Sequence, residues 1–203
     1  MNLRSAKIIS VIFHPLLVPT YALLVMMNLQ THSILALPIN YRYMVIAFVF
    51  LTTFVVPSII IFILLKVGKI KALEMHSRQE RVLPLIIISA AFYVTYYILK
   101  QTSVTGLMAL FMVGATMLVL LSLIINYITK ISLHMLAWGG MFGAFLGFAI
   151  GFHFNLMVIL FVILLVIGIV GTARLKLDAH TPAQVYSGFL VGASAMTVIF
   201  YFI

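Results

Sequence analysis

The chain has 203 residues, of which 65% are hydrophobic and 7% are charged, and its mean hydropathy is +1.29. A soluble domain carries about 25% charged residues, so this composition excludes a soluble globular protein and predicts a polytopic membrane protein. The formal net charge is +9, and the absence of cysteine excludes disulfides and thiol metal ligands.

Seven apolar stretches are long enough to cross roughly 30 Å of hydrocarbon. The predicted fold class is therefore all-α, a polytopic transmembrane helical bundle of six to seven spans in a single integral membrane domain covering 1–203. Six spans remain an alternative, because the fifth and sixth stretches are short and one of them, or the first, could be re-entrant. The stretches lie near residues 8–28, 44–65, 82–99, 106–128, 133–151, 155–171 and 183–203.

The first stretch follows Arg4 and Lys7 and so resembles a secretory signal. Its apolar run is longer than a signal core, and residues 26–30 offer no small-residue cleavage site. We expect a retained helix with a kink at Pro15 and Pro19.

Three polar islands interrupt the apolar stretches, at residues 66–81, 130–134 and 173–184. They follow the second, fourth and sixth stretches. Because each pair of spans returns the chain to the same side, all three islands are predicted to meet at one membrane face. A single composite site would require this arrangement.

The third island contains a predicted helix start. Thr181 is a good N-cap residue and Pro182 suits the first helical position. His180 therefore directly precedes a helix N-terminus, where an anion is stabilised. Gln184, three residues after Thr181, completes a capping box, and this structural role stands either alone or beside a functional one.

The same island resembles a motif of the type 2 phosphatidic acid phosphatase superfamily, the membrane lipid phosphate phosphatases related to the vanadium haloperoxidases. The third motif of that family reads serine-arginine, five residues, histidine, three residues, aspartate. Arg174, His180 and Gln184 match its spacing.

The other two islands are similar to the remaining motifs of the family. The second motif, proline-serine-glycine-histidine, resembles the segment 131–134, which keeps Ser132 and His134. The first motif, lysine, six residues, arginine-proline, is similar to Lys71 with Arg78, or with Arg81 in a slipped alternative. The resemblance implies that residues from about 66 to 203 form the phosphatase-like core.

The resemblance implies a role for each matched residue. His180 would be the nucleophile that forms a phosphohistidine, and His134 the general acid that protonates the departing lipid alcohol. Gln184 stands where the family has an aspartate that orients the nucleophile. The implied phosphate-binding residues are Arg174, Lys71, Arg78 or Arg81, and Ser132.

The predicted function is hydrolysis of a terminal phosphomonoester or pyrophosphate of a lipid by an integral membrane phosphatase. The expected partners are membrane lipids and the lipid phosphate substrate, with no nucleic acid. No metal or other cofactor is expected, because two-metal chemistry is disfavoured in a chain with only three carboxylates, Glu74, Glu80 and Asp178.

The departures from the motifs support an alternative function. Gln184 replaces the aspartate, Leu133 replaces the glycine, and the arginine-proline pair is missing. These changes would mark a catalytically inactive relative that binds anionic lipids or acts as a membrane scaffold. If the chain is active, Asp178 is a second candidate for orienting His180.

The charge distribution leaves the orientation open. Ten of the lysines and arginines lie on the predicted island face, against Arg42 and Lys100 on the other. The positive-inside rule would make the island face cytoplasmic, whereas members of the family usually act on the outer face. The expected location is the cell membrane, of the bacterial cytoplasmic type.

Glycines recur every four residues in the fifth stretch, and a shorter repeat occurs in the last stretch. Such stripes let a neighbouring helix approach closely, either inside the fold or between copies of the chain in a homo-oligomer. The glycines are Gly139, Gly143, Gly147, Gly151, Gly188 and Gly192.

Overall fold

A computed structural model describes residues 1–29, 37–73, 75, 77–102 and 106–202. The described part of the chain is helical and contains seven helices that are long and apolar enough to cross a membrane. The prediction of an all-α polytopic bundle is confirmed. The fifth and sixth stretches, for which a re-entrant form was an alternative, both form full helices.

The helical segments lie close to the predicted stretches. A 3₁₀ turn at Pro15–Leu17 joins the two halves of the first candidate span, and a π-helical turn at Leu51–Val55 joins the two halves of the second. The α-helices are α1 (Leu3–Ile12), α2 (Val18–Met26), α3 (Ile39–Phe50), α4 (Val56–Lys66), α5 (Arg78–Lys100), α6 (Gly106–Ile128), α7 (Leu133–Gly151), α8 (Met157–Lys176) and α9 (Pro182–Tyr201).

The first candidate span is interrupted between α1 and α2. His14 has an extended backbone conformation, with φ −62° and ψ 139°, and Pro15 has no N–H to continue the helical ladder. The His14 Nδ1 accepts a hydrogen bond from the Leu16 N–H at 3.3 Å, which caps the 3₁₀ turn. The predicted break at Pro15 is confirmed, while Pro19 lies in the first turn of α2, where proline is tolerated.

The chain divides into two compact units. The first consists of Met1–Val18 and Ile124–Ile203, and the second of Pro19–Leu123. The first unit contains the second and third polar islands, and the second unit contains the first island. The prediction of one integral membrane domain stays a prediction.

Close packing of α7 on α9 forms the core of the first unit. A Cβ atom placed on Gly139 would lie 2.5 Å from the carbonyl oxygen of Phe189, and one placed on Gly143 would overlap the carbonyl oxygen of Ala193. The glycine stripe of α7 therefore lets the backbones of the two helices touch. Its use inside the fold is confirmed, and a homo-oligomer stays a prediction.

Two glycines of α9 complete this interface. A Cβ on Gly192 would overlap the carbonyl oxygen of Leu136, and one on Gly188 would lie 2.8 Å from the carbonyl oxygen of Ser132. Gly188 thus brings the start of α9 against the start of α7. This contact positions the two histidine-bearing islands.

Candidate functional site

Two polar islands meet at one end of the first unit. α7 begins after Ser132, α9 begins after Thr181, and Arg174 lies in the last turn of α8. The backbone N–H of Ser132 donates to the carbonyl oxygen of Gln184 at 3.1 Å. The islands 130–134 and 173–184 are therefore joined directly, as the span count predicted for these two.

Gln184 fixes the start of α9 and also contacts His180. Its backbone N–H donates to the Thr181 Oγ1 at 3.4 Å, and its Oε1 accepts the backbone N–H of Thr181 at 3.4 Å. The predicted capping box is thus present. The same Oε1 lies 3.0 Å from the Nδ1 of His180, so the structural role of Gln184 is confirmed, and its functional role stays a prediction.

This shared oxygen defines the tautomer of His180. A backbone N–H can only donate, so the atom of Gln184 that it contacts must be the amide oxygen and not the amide nitrogen. The His180 Nδ1 must then carry the proton and donate it to Gln184. In the neutral ring the Nε2 then holds the lone pair, and a ring nitrogen with a lone pair can act as a nucleophile.

Ser10, in α1, contacts Arg174 of the third motif and His134 of the second motif. Its hydroxyl oxygen accepts a hydrogen bond from an Nη1 of Arg174 at 3.2 Å. Its carbonyl oxygen lies 3.0 Å from the Nε2 of His134, and since a carbonyl only accepts, that nitrogen carries a proton. Arg174 and His180 also interact electrostatically with His134.

The N-terminal segment closes over His134 through two further contacts. The ring of His14 packs edge-on against that of His134, with centroids 5.6 Å apart. Trp138, one turn further along α7, donates from its Nε1 to the carbonyl oxygen of Phe13 at 3.1 Å. The site therefore extends beyond the predicted core of 66–203 and includes residues near the N-terminus.

The sequence did not point to Ser10 or His14 as part of this site. A serine in an apolar stretch has no motif of its own, and His14 matches none of the three motifs. The one available signal was composition, since polar side chains are scarce in spans and usually face the interior of a bundle.

Ser132, of the predicted second motif, lies directly before α7. Its side chain is fully buried, and within the described part of the chain its hydroxyl has no hydrogen-bond partner. Ser132 is the N-cap residue of α7, yet this hydroxyl does not cap the helix. A buried hydroxyl without a partner costs about 1–3 kcal/mol.

A shallow depression of about 610 Å³ opens beside His180. His180 and His134 are each 9% exposed. His180 lines the depression, and His134 does not. Asp178, in a left-handed backbone conformation with φ 49°, lies in the same wall. The lining residues are Lys130, Leu175, Asp178, Ala179, His180, Thr181, Pro182 and Gln184.

The residues of the first motif belong to the second unit. Lys71 is exposed, and Arg78 is the exposed first residue of α5. Arg81 is buried, and its Nε donates to the carbonyl oxygen of Met75 at 3.2 Å. Their roles as phosphate ligands stay predictions, as does a common face for all three islands. His32 and His76, for which the sequence indicated no catalytic role, lie outside the described residues.

No family model, curated protein or solved structure matches the chain. The class of protein therefore rests on the fold, which is that of an all-α membrane protein with seven helices long and apolar enough to span a bilayer in its described part. Any activity must be argued from the residues at the ends of α7, α8 and α9.

Proposed function

We propose that the protein is an integral membrane lipid phosphate phosphatase that works through a phosphohistidine. The observation that carries the proposal is the contact between the His180 Nδ1 and the Gln184 Oε1 at 3.0 Å. It presents His180 in the tautomer that a nucleophile needs, directly before a helix N-terminus that favours anions.

The first chemical step is attack by the Nε2 of His180 on the phosphorus atom. The bond between phosphorus and the lipid oxygen breaks, and its electron pair leaves with that oxygen. His134 gives a proton to the departing alcohol. Because its Nε2 is held by the carbonyl oxygen of Ser10, the proton is exchanged at Nδ1, which takes it up when the negatively charged phosphate group lies beside the ring.

The second step returns the enzyme to its starting state. Water attacks the phosphohistidine, the bond between phosphorus and Nε2 breaks, and inorganic phosphate is released. The neutral His134 accepts a proton from the attacking water. The guanidinium of Arg174 compensates the negative charge of the phosphoryl group in both steps, and the hydroxyl of Ser132 donates to one of its oxygens.

The substrate is a lipid because the site lies at helix ends. Arg174 is in the last turn of α8, and His134 is in the first turn of α7. The ends of membrane-spanning helices lie at the level of the headgroups. A phosphate could be attacked there while its apolar chain remains in the bilayer.

The direct test is phosphate release by the purified protein from phosphatidic acid, phosphatidylglycerophosphate, a polyprenyl pyrophosphate and a lipid A phosphate. We expect release from at least one of them, and loss of release in His180→Ala. His153→Asn is the matched control, because His153 is exposed in the loop after α7 and has φ 54°, which asparagine tolerates. Absence of release from every lipid would refute the proposal and favour an anionic-lipid-binding or scaffold protein.

A further inference from the structure

Ser10, in α1, is hydrogen-bonded to two residues of the predicted motifs. It is 8% exposed, its hydroxyl accepts from Arg174 at 3.2 Å, and its carbonyl oxygen accepts from His134 at 3.0 Å. These partners are 164 and 124 residues away in the chain. A single turn of α1 therefore connects the ends of α7 and α8.

A hydroxyl is a suitable partner for an arginine that must bind phosphate. The guanidinium sits on a long flexible stem, and its planar fork binds two phosphate oxygens only when it is held in the right plane. A carboxylate would hold it but would also cancel its charge. The neutral hydroxyl of Ser10 orients Arg174 and leaves the positive charge for the phosphate.

The carbonyl oxygen of the same residue acts on His134. It accepts the Nε2 proton of the ring, which fixes the plane of the imidazole and assigns proton exchange to Nδ1. Both effects depend on the position of one residue in α1. Any shift of that helix would move the arginine and the histidine together.

We propose that Ser10 is a positioning residue, which orients the guanidinium of Arg174 through its hydroxyl and the ring of His134 through its carbonyl oxygen for one phosphate group. The inference rests on the proposed function, because it assumes that Arg174 binds the phosphate of the substrate. It assigns a role in the site to α1, which lies outside the three polar islands.

Ser10→Thr and Ser10→Val form a matched pair for the test. The two side chains have the same shape, but only threonine keeps the hydroxyl, and neither change removes the carbonyl oxygen that His134 uses. Ser10→Ala adds a smaller variant without the hydroxyl. Ser5→Ala, on the same helix, is the control for loss of a serine hydroxyl, because Ser5 contributes its backbone N–H to the cap of α1 and the variant keeps that group.

Two quantities are measured on each purified variant. The first is the Kd of inorganic phosphate from calorimetric titration, and the second is the KM and kcat for the lipid phosphate that the wild type hydrolyses best. The fluorescence of Trp138, the only tryptophan, reports whether α1 remains docked, because its Nε1 contacts Phe13.

We expect Ser10→Val and Ser10→Ala to weaken phosphate binding and raise KM about tenfold, the effect of one hydrogen bond to a charged group. Ser10→Thr and Ser5→Ala should stay within about twofold of the wild type on both quantities, and kcat should fall less than KM rises. Unchanged Trp138 fluorescence would show that the change is local to Arg174.

Failure of the inference can be separated from failure of the proposed function. A wild type that binds phosphate but releases none from any lipid refutes the phosphatase, while the Kd values of the Thr and Val variants still decide the role of Ser10. The inference is overturned if Ser10→Thr and Ser10→Val bind phosphate with equal affinity. It is also overturned if neither the wild type nor any variant binds phosphate. If Ser10→Ala fails to fold, the comparison of Ser10→Thr with Ser10→Val still decides the role of Ser10.

Discussion

The side chain of Gln184 joins His180 to the start of α9. Its Oε1 accepts both the Nδ1 proton of His180, at 3.0 Å, and the backbone N–H of Thr181, at 3.4 Å. The cap therefore determines which atom of the amide faces the histidine. One side chain stabilises the helix and sets the tautomer of the ring that precedes it.

The first prediction separates these two roles of Gln184. Gln184→Glu keeps the length of the side chain and its acceptor oxygens, and its charge stabilises the cationic form of His180, so turnover should be kept or raised. Gln184→Met keeps the length but removes the acceptor, so turnover should fall at least about tenfold. The upper limit is the roughly 10⁴-fold loss that a wrong histidine tautomer causes in serine protease triads. Phosphate release per folded molecule measures the effect.

The same variants should differ in stability. Gln184→Met removes the acceptor for the Thr181 N–H and should lower the free energy of unfolding by about 1 kcal/mol, whereas Gln184→Glu keeps the cap. Thermal unfolding in detergent gives this quantity independently of activity. If Gln184→Met loses stability but keeps full turnover per folded molecule, Gln184 is only a helix cap.

The fold was predictable because composition and local chemistry decide most of it. Apolar length alone located the seven candidate membrane spans of the described residues, and the Thr181-Pro182 pair located the first turn of α9. Pro15 marked the break in the first span. The glycine stripes indicated close packing, but their choice of partner could not be read from α7 alone, because it depends on the rotation of α9 about its axis.

The candidate site was only partly predictable. Spacing identified Arg174, His180 and Gln184, because a helix start and a motif are both local patterns. Ser10 and His14 were missed, since their contacts with Arg174 and His134 cross more than a hundred residues. No local pattern records a contact of that kind.

The second prediction concerns His134 and the leaving group. As the general acid, His134 is needed only when the departing oxygen is a poor leaving group. His134→Ala should therefore lose about 10²-fold or more on a lipid phosphate and much less on an activated aryl phosphate, which needs little protonation. His180→Ala should lose both activities, and equal losses on both substrates in His134→Ala would contradict its role as an acid.

The third prediction tests whether Asp178 orients His180 in place of Gln184. Asp178 lines the same depression, but the His180 Nδ1 donates its hydrogen bond to the Oε1 of Gln184. Asp178→Asn tolerates the left-handed backbone at this position and should keep turnover within about threefold, because general acid-base groups that act directly contribute far more. A loss as large as that of Gln184→Met, measured by phosphate release under the same conditions, would transfer the orienting role to Asp178.

The fourth prediction concerns the packing that positions both histidines. Gly143→Ala places a methyl group against the backbone of Ala193, where neither helix can yield without moving, so it should destabilise the protein by about 1–3 kcal/mol. Gly168→Ala is the matched control, because a Cβ on Gly168 meets nothing within 4 Å, and alanine is the better helix former by about 1 kcal/mol. Thermal unfolding in detergent should show a lower Tm for the first variant and an equal or higher Tm for the second. Equal Tm values in Gly143→Ala and the wild type would mean that α7 and α9 do not touch at this position, and the contact that brings Ser132 to Gln184 would lose its support.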